Sequence, residues 1–302
     1  MFTAHLTLKT PRDFKFWRTV YSHGWCALAP FRVDKARPAL SRLIALKNGS
    51  LASCTLSDGK GTLSIHIQST VKLNQTRKVE VGNQLIECLR LGEDFSEFYA
   101  AARSHPGYRW IPASGGGRLL RAPTVFEDAV KMICTTNCSW SLTETMVGNL
   151  TALVGKRFDE GLFGFPTPEA VAGLSEAFMR KHVRAGYRSP YIIELAEQVA
   201  GGKLDIEGWR RAPLPTDELF RHVRSVKGIG DYAAGNLLKL LGRYDYLGLD
   251  SWVRAKFYEI HKDGRRVSDK AIERHYARFG KWRGLFFWME MTRDWADQKF
   301  PF

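Results

Sequence analysis

Two glycines one residue apart, Gly228 and Gly230, break a helical pattern in Val226-Lys227-Gly228-Ile229-Gly230-Asp231-Tyr232, and a second helical pattern resumes at once through Ala233, Leu237, Leu240 and Leu241. Glycine spacing of this kind specifies a tight hairpin between two helices, because the backbone turns there without a Cβ clash. It also bares the first N–H donors of the following helix, which suit a flat anionic group. Twenty residues after Gly230 stands Asp250, in Leu249-Asp250-Ser251-Trp252, just beyond the second helix. A carboxylate held at a fixed offset from an anion clamp is the arrangement on which the functional reading turns.

The charge of the chain suggests which anion. Its 302 residues carry 45 Lys and Arg against 31 Asp and Glu, a formal net charge of +14. Such an excess favours a polyanionic partner through counterion release and steering, and nucleic-acid phosphate is the natural one. Nine Trp add surfaces on which exposed bases can stack.

The length suits two domains. Residues 1–95 read as a small antiparallel α+β unit. Thr3 to Thr7, Ser64-Ile65-His66-Ile67 and Val79-Glu80-Val81 alternate as strands do, with turns at Asn48-Gly49-Ser50 and Ser57-Asp58-Gly59. Asp13 to Tyr21 and Pro38 to Leu46 are expected as helices crossing that sheet. From residue 96 to 302 the period becomes helical, as in Phe126-Ala129-Val130-Ile133 and Leu142-Met146-Leu150-Leu153. Breaks fall at Gly115 to Gly117, Gly164 to Pro168, Gly201-Gly202 and Pro213 to Pro215, and Thr167-Pro168 and Thr216-Asp217 are good helix starts. Gly115 to Gly117 with Arg118 and Arg121 reads as a flexible, solvated basic loop. The fold class expected is therefore α+β, a small N-terminal antiparallel sheet followed by a mostly α-helical core.

Five cysteines, Cys26, Cys54, Cys88, Cys134 and Cys138, are odd in number and widely spaced, which argues for reduced thiols rather than a disulfide framework. Cys134 and Cys138 form the one close pair, and no second pair completes a four-ligand site. No apolar run approaches the ~20 residues needed to span a bilayer. The N-terminus shows no basic region followed by an apolar one, so an intracellular protein without membrane contact is expected.

These features resemble the helix-hairpin-helix DNA glycosylases, the HhH-GPD superfamily that includes 8-oxoguanine DNA glycosylases and 3-methyladenine DNA glycosylase II. Besides the hairpin and Asp250, Pro123-Thr124-Val125-Phe126-Glu127 through Ile133-Cys134-Thr135-Thr136-Asn137 is similar to the segment opening the family's helical core. Phe165-Pro166-Thr167-Pro168-Glu169 and Gly186 to Ile192 resemble its middle, and Ser22-His23-Gly24-Trp25 with Pro30-Phe31-Arg32 the N-terminal sheet domain of some members. The resemblance runs collinearly over most of the chain.

It implies a base-excision enzyme acting on double-stranded DNA that contains damaged bases, expected as a monomer and located with DNA. Lys227, Gly228, Ile229 and Gly230 would hold phosphate. Asp250 would be the catalytic carboxylate, since an oxocarbenium-like transition state wants a fixed negative charge and a positioned water. Taken alone, Asp250 reads equally as the N-cap of a helix beginning at Ser251. Bifunctional members carry a Lys two residues after the last hairpin glycine, where this chain has Tyr232, so a monofunctional hydrolase is expected. Lys227 and Lys239 then read as phosphate contacts or solvated charges. The base must leave the stack. Asn137 would be the plug for the vacated space, unless it caps the helix starting at Ser139. Tyr232, Trp252, Phe286 and Phe287 would line or stack in the base pocket. Phe287 falls where the 8-oxoguanine branch reads the base edge with Gln, which shifts the expectation toward alkylated purines held by cation–π attraction. An 8-oxoguanine-type enzyme with or without lyase activity, and a non-catalytic lesion or structure binder, are the alternatives. Arg184, Arg188, Lys227, Arg254 and Lys256 are candidate backbone contacts as a set. No cofactor is expected to be required. A monovalent cation at the hairpin is a possibility the family suggests, and an iron–sulfur cluster is not expected because no Cys follows Cys138.

Overall fold

The computed structural model describes residues 1–295. Its N-terminal portion is a five-stranded antiparallel sheet with strand order β1-β5-β4-β3-β2, formed by β1 (Phe2–Lys9), β2 (Arg32–Asp34), β3 (Ala39–Ala45), β4 (Leu51–Asp58) and β5 (Thr62–Ser69). Asn48-Gly49 and Asp58-Gly59 lie in two of the sheet's three hairpin turns, as the turn chemistry requires. In β5 the alternation is complete: Leu63, Ile65, Ile67 and Ser69 face inward, Ser64, His66 and Gln68 outward. A short helix α1 (Phe16–Val20) precedes β2, and α2 (Gln75–Leu89) closes the buried face with Val81, Leu85 and Leu89.

Two segments differ from expectation. Pro38 to Leu46 is not a helix but contains β3. The strand is buried on both faces, so the polar alternation that marks a strand is missing, and Leu40, Leu43 and Ile44 mimic helical spacing. Arg42, pointing inward from it, meets the buried Glu127 at 2.9 Å. Val79-Glu80-Val81 is helical, the middle of α2; three alternating residues are too few to separate periods of 2 and 3.6.

The remainder is mostly helical: α3 (Ser96–Ser104), α4 (Trp110–Ser114), α5 (Val125–Cys134), α6 (Trp140–Val154), α7 (Pro168–Ala172), α8 (Glu176–Phe178), α9 (Ser189–Ala200), α10 (Thr216–Arg224), α11 (Asp231–Leu240), α12 (Ser251–Lys262), α13 (Asp269–Tyr276) and α14 (Arg283–Met291). One small hairpin interrupts them, β6 (Arg157–Asp159) with β7 (Leu162–Phe163), where Phe158 packs on Leu43 and Leu51 of the large sheet. Sheet and helices share one continuous apolar core. Among the described residues no helix is long and apolar enough to cross a membrane.

The loop at Gly115 to Gly117 is not a solvated linker. Arg118 and Arg121 are both almost fully buried. Arg118 pairs with Asp13 at 2.8 Å, and Arg121 with Glu87 at 2.6 Å and Glu93 at 3.0 Å. Arg121 Nη1 also donates to Leu240 O at 2.9 Å, while Arg90 Nη1 donates to Lys239 O at 2.8 Å. Two buried guanidinium groups thus cap the C-terminal carbonyls of α11, the end of a helix that favours cations.

Candidate active site

α10 and α11 form the helical hairpin that the glycine pair announces. Gly228 adopts φ +87°, and a Cβ there would come within 2.9 Å of the Tyr191 side chain, so backbone sign and packing both require glycine. Gly230 is different. Its φ of −86° suits any residue, and a Cβ there would meet nothing within 4 Å. It is the N-cap of α11 and brings no side-chain acceptor, so the amides of the first turn have no protein partner among the described residues. Open space in front of unpaired amides at the positive end of a helix is an anion site in form. Lys227, exposed and 2.9 Å from Glu194, lies at the same turn. Asp231 there pairs with Arg224, which offsets its charge.

Asp250 stands across the cleft from this turn, as the N-cap of α12. Its Oδ1 accepts the amide of Val253 at 2.8 Å, and among the described residues no hydrogen bond engages Oδ2. Capping and cleft-lining are therefore both true of this residue. The turn that carries it is tied down from α11. Asn236 Nδ2 donates to Gly248 O at 3.2 Å and to Tyr232 O at 3.0 Å, and Lys239 Nζ donates to Leu247 O at 2.5 Å and to Asn236 Oδ1 at 2.9 Å. Close packing enforces the same register: a Cβ at Gly235 would come within 3.0 Å of Gly248 Cα. Lys239 is neither a phosphate contact nor a solvated charge, since only 1 % of it is exposed. Burial lowers its pKa to about 7, against the opposing pull of Asp250. Burial, then the charge of Asp250, raises the Tyr232 hydroxyl to about 12, so it stays protonated beside the carboxylate.

These groups line one cleft of about 1370 Å³ between the hairpin, the α5–α6 connection and α14. Tyr232 and Trp252 are in it, as expected. Trp252 is 42 % exposed, with Trp295 5.5 Å and Trp288 6.4 Å away between ring centres. Phe286 and Phe287 are not in it. Both are fully buried: Phe286 stacks on Phe279 at 4.1 Å and Phe287 packs on Tyr276 at 5.1 Å. The rotation of α14 turns the next residue, Trp288, toward the cleft, with Nε1 donated to Ser22 O at 2.9 Å.

Asn137 occupies the rim. Its φ of +46° lies in the left-handed region that Asn tolerates. Its side-chain Nδ2 donates to Tyr187 Oη at 3.3 Å. It is not a helix cap; Ser139 caps α6 itself. Arg188, nearly buried, bonds Thr136 and holds this connection in place, so it is unavailable as a backbone contact. Arg254 is ion-paired with Asp269 at 2.8 Å.

Sequence reasoning misread Lys239 as exposed, and it missed Asn236 and Trp288. Asn236 and Lys239 lie three apart on α11, and Asn236 is four residues from Tyr232, so all three share one face. That spacing was the available signal.

The sequence profile of the HhH-GPD superfamily of base excision DNA repair proteins matches residues 130–283, half of the chain, and the chain belongs to that superfamily. No curated protein matches it in sequence. Among solved structures, its fold is similar to that of the 3-methyladenine DNA-glycosylase from Archaeoglobus fulgidus, at TM-score 0.75 and 20 % identity over 96 % of this chain and 99 % of that one. It is similar to MBOgg1 in complex with a low-affinity DNA ligand, at TM-score 0.75 and 19 % identity over 97 % and 96 %. The apo-form 8-oxoguanine glycosylase/lyase from Clostridium acetobutylicum matches at 0.74 and 17 %, over 95 % of each chain.

Proposed function

We propose that the protein is a monofunctional DNA glycosylase of base excision repair, which binds damaged duplex DNA inside the cell, everts a purine and hydrolyses its N-glycosidic bond, with alkylated purines as the substrate class. One observation carries the reading: the Asp250 carboxylate and the unpaired amides at Gly230 and the first turn of α11 face one cleft. The amides, at the positive end of α11, grip a strand phosphate. Asp250 then stabilises positive charge developing at C1′ and orients the attacking water. Everting the base leaves a gap in the stack for which Asn137, exposed at the rim, is the plug.

Aromatic rings supply the preference for alkylated bases. Tyr232, Trp252 and Trp288 line the cleft, and the indole N–H of Trp288 is already engaged by Ser22, which leaves that ring its π face to offer. Faces of this kind favour an electron-poor, cationic ring.

Lys239 favours a second reading, a glycosylase/lyase. A buried amine whose pKa falls to about 7 is a nucleophile at neutral pH, and it lines the same cleft. Its two hydrogen bonds to Leu247 and Asn236 argue for a positioning role instead. The deciding experiment incubates wild type and Asp250→Asn with duplexes holding alkylated, oxidised or deaminated bases and reveals abasic sites with hot alkali. Alkali-dependent cleavage at alkylated purines, absent in Asp250→Asn, is expected. Release from no lesion by either form overturns the enzymatic reading and leaves a DNA binder. Nicking without alkali, with a borohydride-trapped adduct lost in Lys239→Met, establishes the lyase.

A further inference from the structure

At the far end of the helix that Asp250 caps, ionisable side chains from three helices converge. His261 lies in the last turn of α12, His275 near the end of α13 and Glu290 near the end of α14. One donor atom from each lies within 4.8 Å of the other two. His261 Nε2 is 3.2 Å from Glu290 Oε2, and the two imidazole rings are 4.3 Å apart between centres. Phe257 closes one side, 4.8 Å from His261 and 5.4 Å from His275.

Both rings lack a hydrogen bond at Nε2, His275 outright and His261 with only the 3.2 Å approach of Glu290 beside it. Nε2 of His261 and Nε2 of His275 are both shut off from solvent, and neither makes a hydrogen bond, the approach of His261 to Glu290 included. Buried side-chain nitrogens in folded proteins nearly always have a partner, so two bare ones on neighbouring rings call for a physical account. Glu290, in contrast, is firmly held: its Oε2 accepts from the hydroxyls of Tyr108 at 2.8 Å and of Tyr276. Hydroxyl donors behind a carboxylate are what fixes a metal-binding oxygen in orientation.

We propose that His261, His275 and Glu290 bind one divalent transition metal, zinc by preference, as a brace between α12, α13 and α14. Two imidazole nitrogens and one carboxylate oxygen form a zinc donor set, with water completing the coordination, whereas calcium and magnesium want oxygen throughout. Tetrahedral donors each about 2.0–2.1 Å from zinc lie roughly 3.3 Å from one another. His261 and Glu290 already stand at that spacing, so the closure falls to His275, by roughly 1.5 Å at most, a shift that rotation about its own χ angles covers. Only neutral imidazole ligates. Arg278 and Lys262 carry positive charge close enough to act on His275. They also oppose the metal's own charge. Glu290 is the one anion in the set, so the affinity belongs below that of sites built from thiolates.

The site lies at the opposite end of α12 from Asp250, three helical turns away, so its test needs no glycosylase activity. The full chain is stripped with chelator, incubated with zinc, desalted and assayed for metal, and its melting temperature is taken with and without zinc. One zinc retained per chain and a melting temperature raised by zinc are expected, both lost in His261→Gln and in His275→Gln. Binding to the folded form alone stabilises it by mass action, which makes the melting shift a second, independent readout. Cobalt(II) bound to wild type should give d–d bands without a thiolate charge-transfer band, and this measurement stands even if the variants fail to fold. No retained metal in wild type, retention that survives both substitutions, or a thiolate band implicating Cys138 overturns the proposal.

Discussion

Lys239 Nζ lies 2.5 Å from the carbonyl oxygen of Leu247, three residues ahead of the carboxylate at Asp250. With Asn236 on Gly248, this bond makes α11 the template on which the carboxylate-bearing turn is shaped. The helix whose first-turn amides stand unpaired at one end thereby sets the position of the acid along its flank.

Lys239→Met removes the ammonium and keeps most of the volume. Exchanging a buried charge for an apolar group is often close to neutral in stability, even after the loss of two hydrogen bonds. A change under about 2 kcal/mol is expected by urea unfolding. Single-turnover base release should fall by roughly tenfold to a hundredfold, because a carboxylate displaced by about 1 Å loses that much. Unchanged turnover would show that Lys239 does not position Asp250.

Asp250 has two duties that substitution can separate. Asn is as good an N-cap as Asp, so Asp250→Asn should melt within a few degrees of wild type while base release falls by about a thousandfold. Asp250→Ala loses the cap as well and should cost a further ~1 kcal/mol. Melting curves and single-turnover rates for the pair test this; equal losses of stability in both variants would contradict it.

The two hairpin glycines should respond differently. At Gly228 an added Cβ meets a left-handed backbone and the Tyr191 ring at 2.9 Å. Gly228→Ala should therefore destabilise by about 1–3 kcal/mol. Gly230→Ala meets nothing and should leave stability intact while weakening duplex binding, because the new methyl takes up open space at the turn where a phosphate would approach. Binding to an abasic-site duplex, measured beside thermal melts, reads both effects.

His23 should govern part of the response to acid. It is buried, with Nε2 2.5 Å from Leu120 O, and burial lowers its pKa from 6.5 to about 4. The unfolded chain therefore takes up a proton that the folded one refuses. Stability from this group is fully present above about pH 6.5 and is lost as the pH falls toward 4, by about 3 kcal/mol in all. His23→Gln retains a donor for Leu120 and should flatten this part of the stability–pH curve. Parallel curves for variant and wild type would remove His23 as the cause.

The hairpin and the capping place of Asp250 were legible in the sequence because each rests on local chemistry, a glycine pair and a cap, while Tyr232 and Asn137 were drawn to the cleft by the family resemblance alone. What stayed hidden depends on distant partners. Pro38 to Leu46 forms a strand because another strand lies on either side of it, and Arg42 is tolerated inside because Glu127 waits there. Phe286 and Phe287 look like pocket aromatics until the rotation of α14 gives the cleft to Trp288 instead. Lys239 reads as one surface lysine among many until Leu247 folds over it.

The two guanidinium groups at the end of α11 carry one more implication. Arg90 follows α2, which packs on the sheet, and Arg121 lies in the stretch between α4 and α5, yet both finish a helix more than a hundred residues downstream. Cutting the chain at residue 95 would strip one of these caps and strand the acidic partners of the other. The helical half should then be unable to stand alone, and the sheet belongs to the machinery of the hairpin rather than to a detachable accessory.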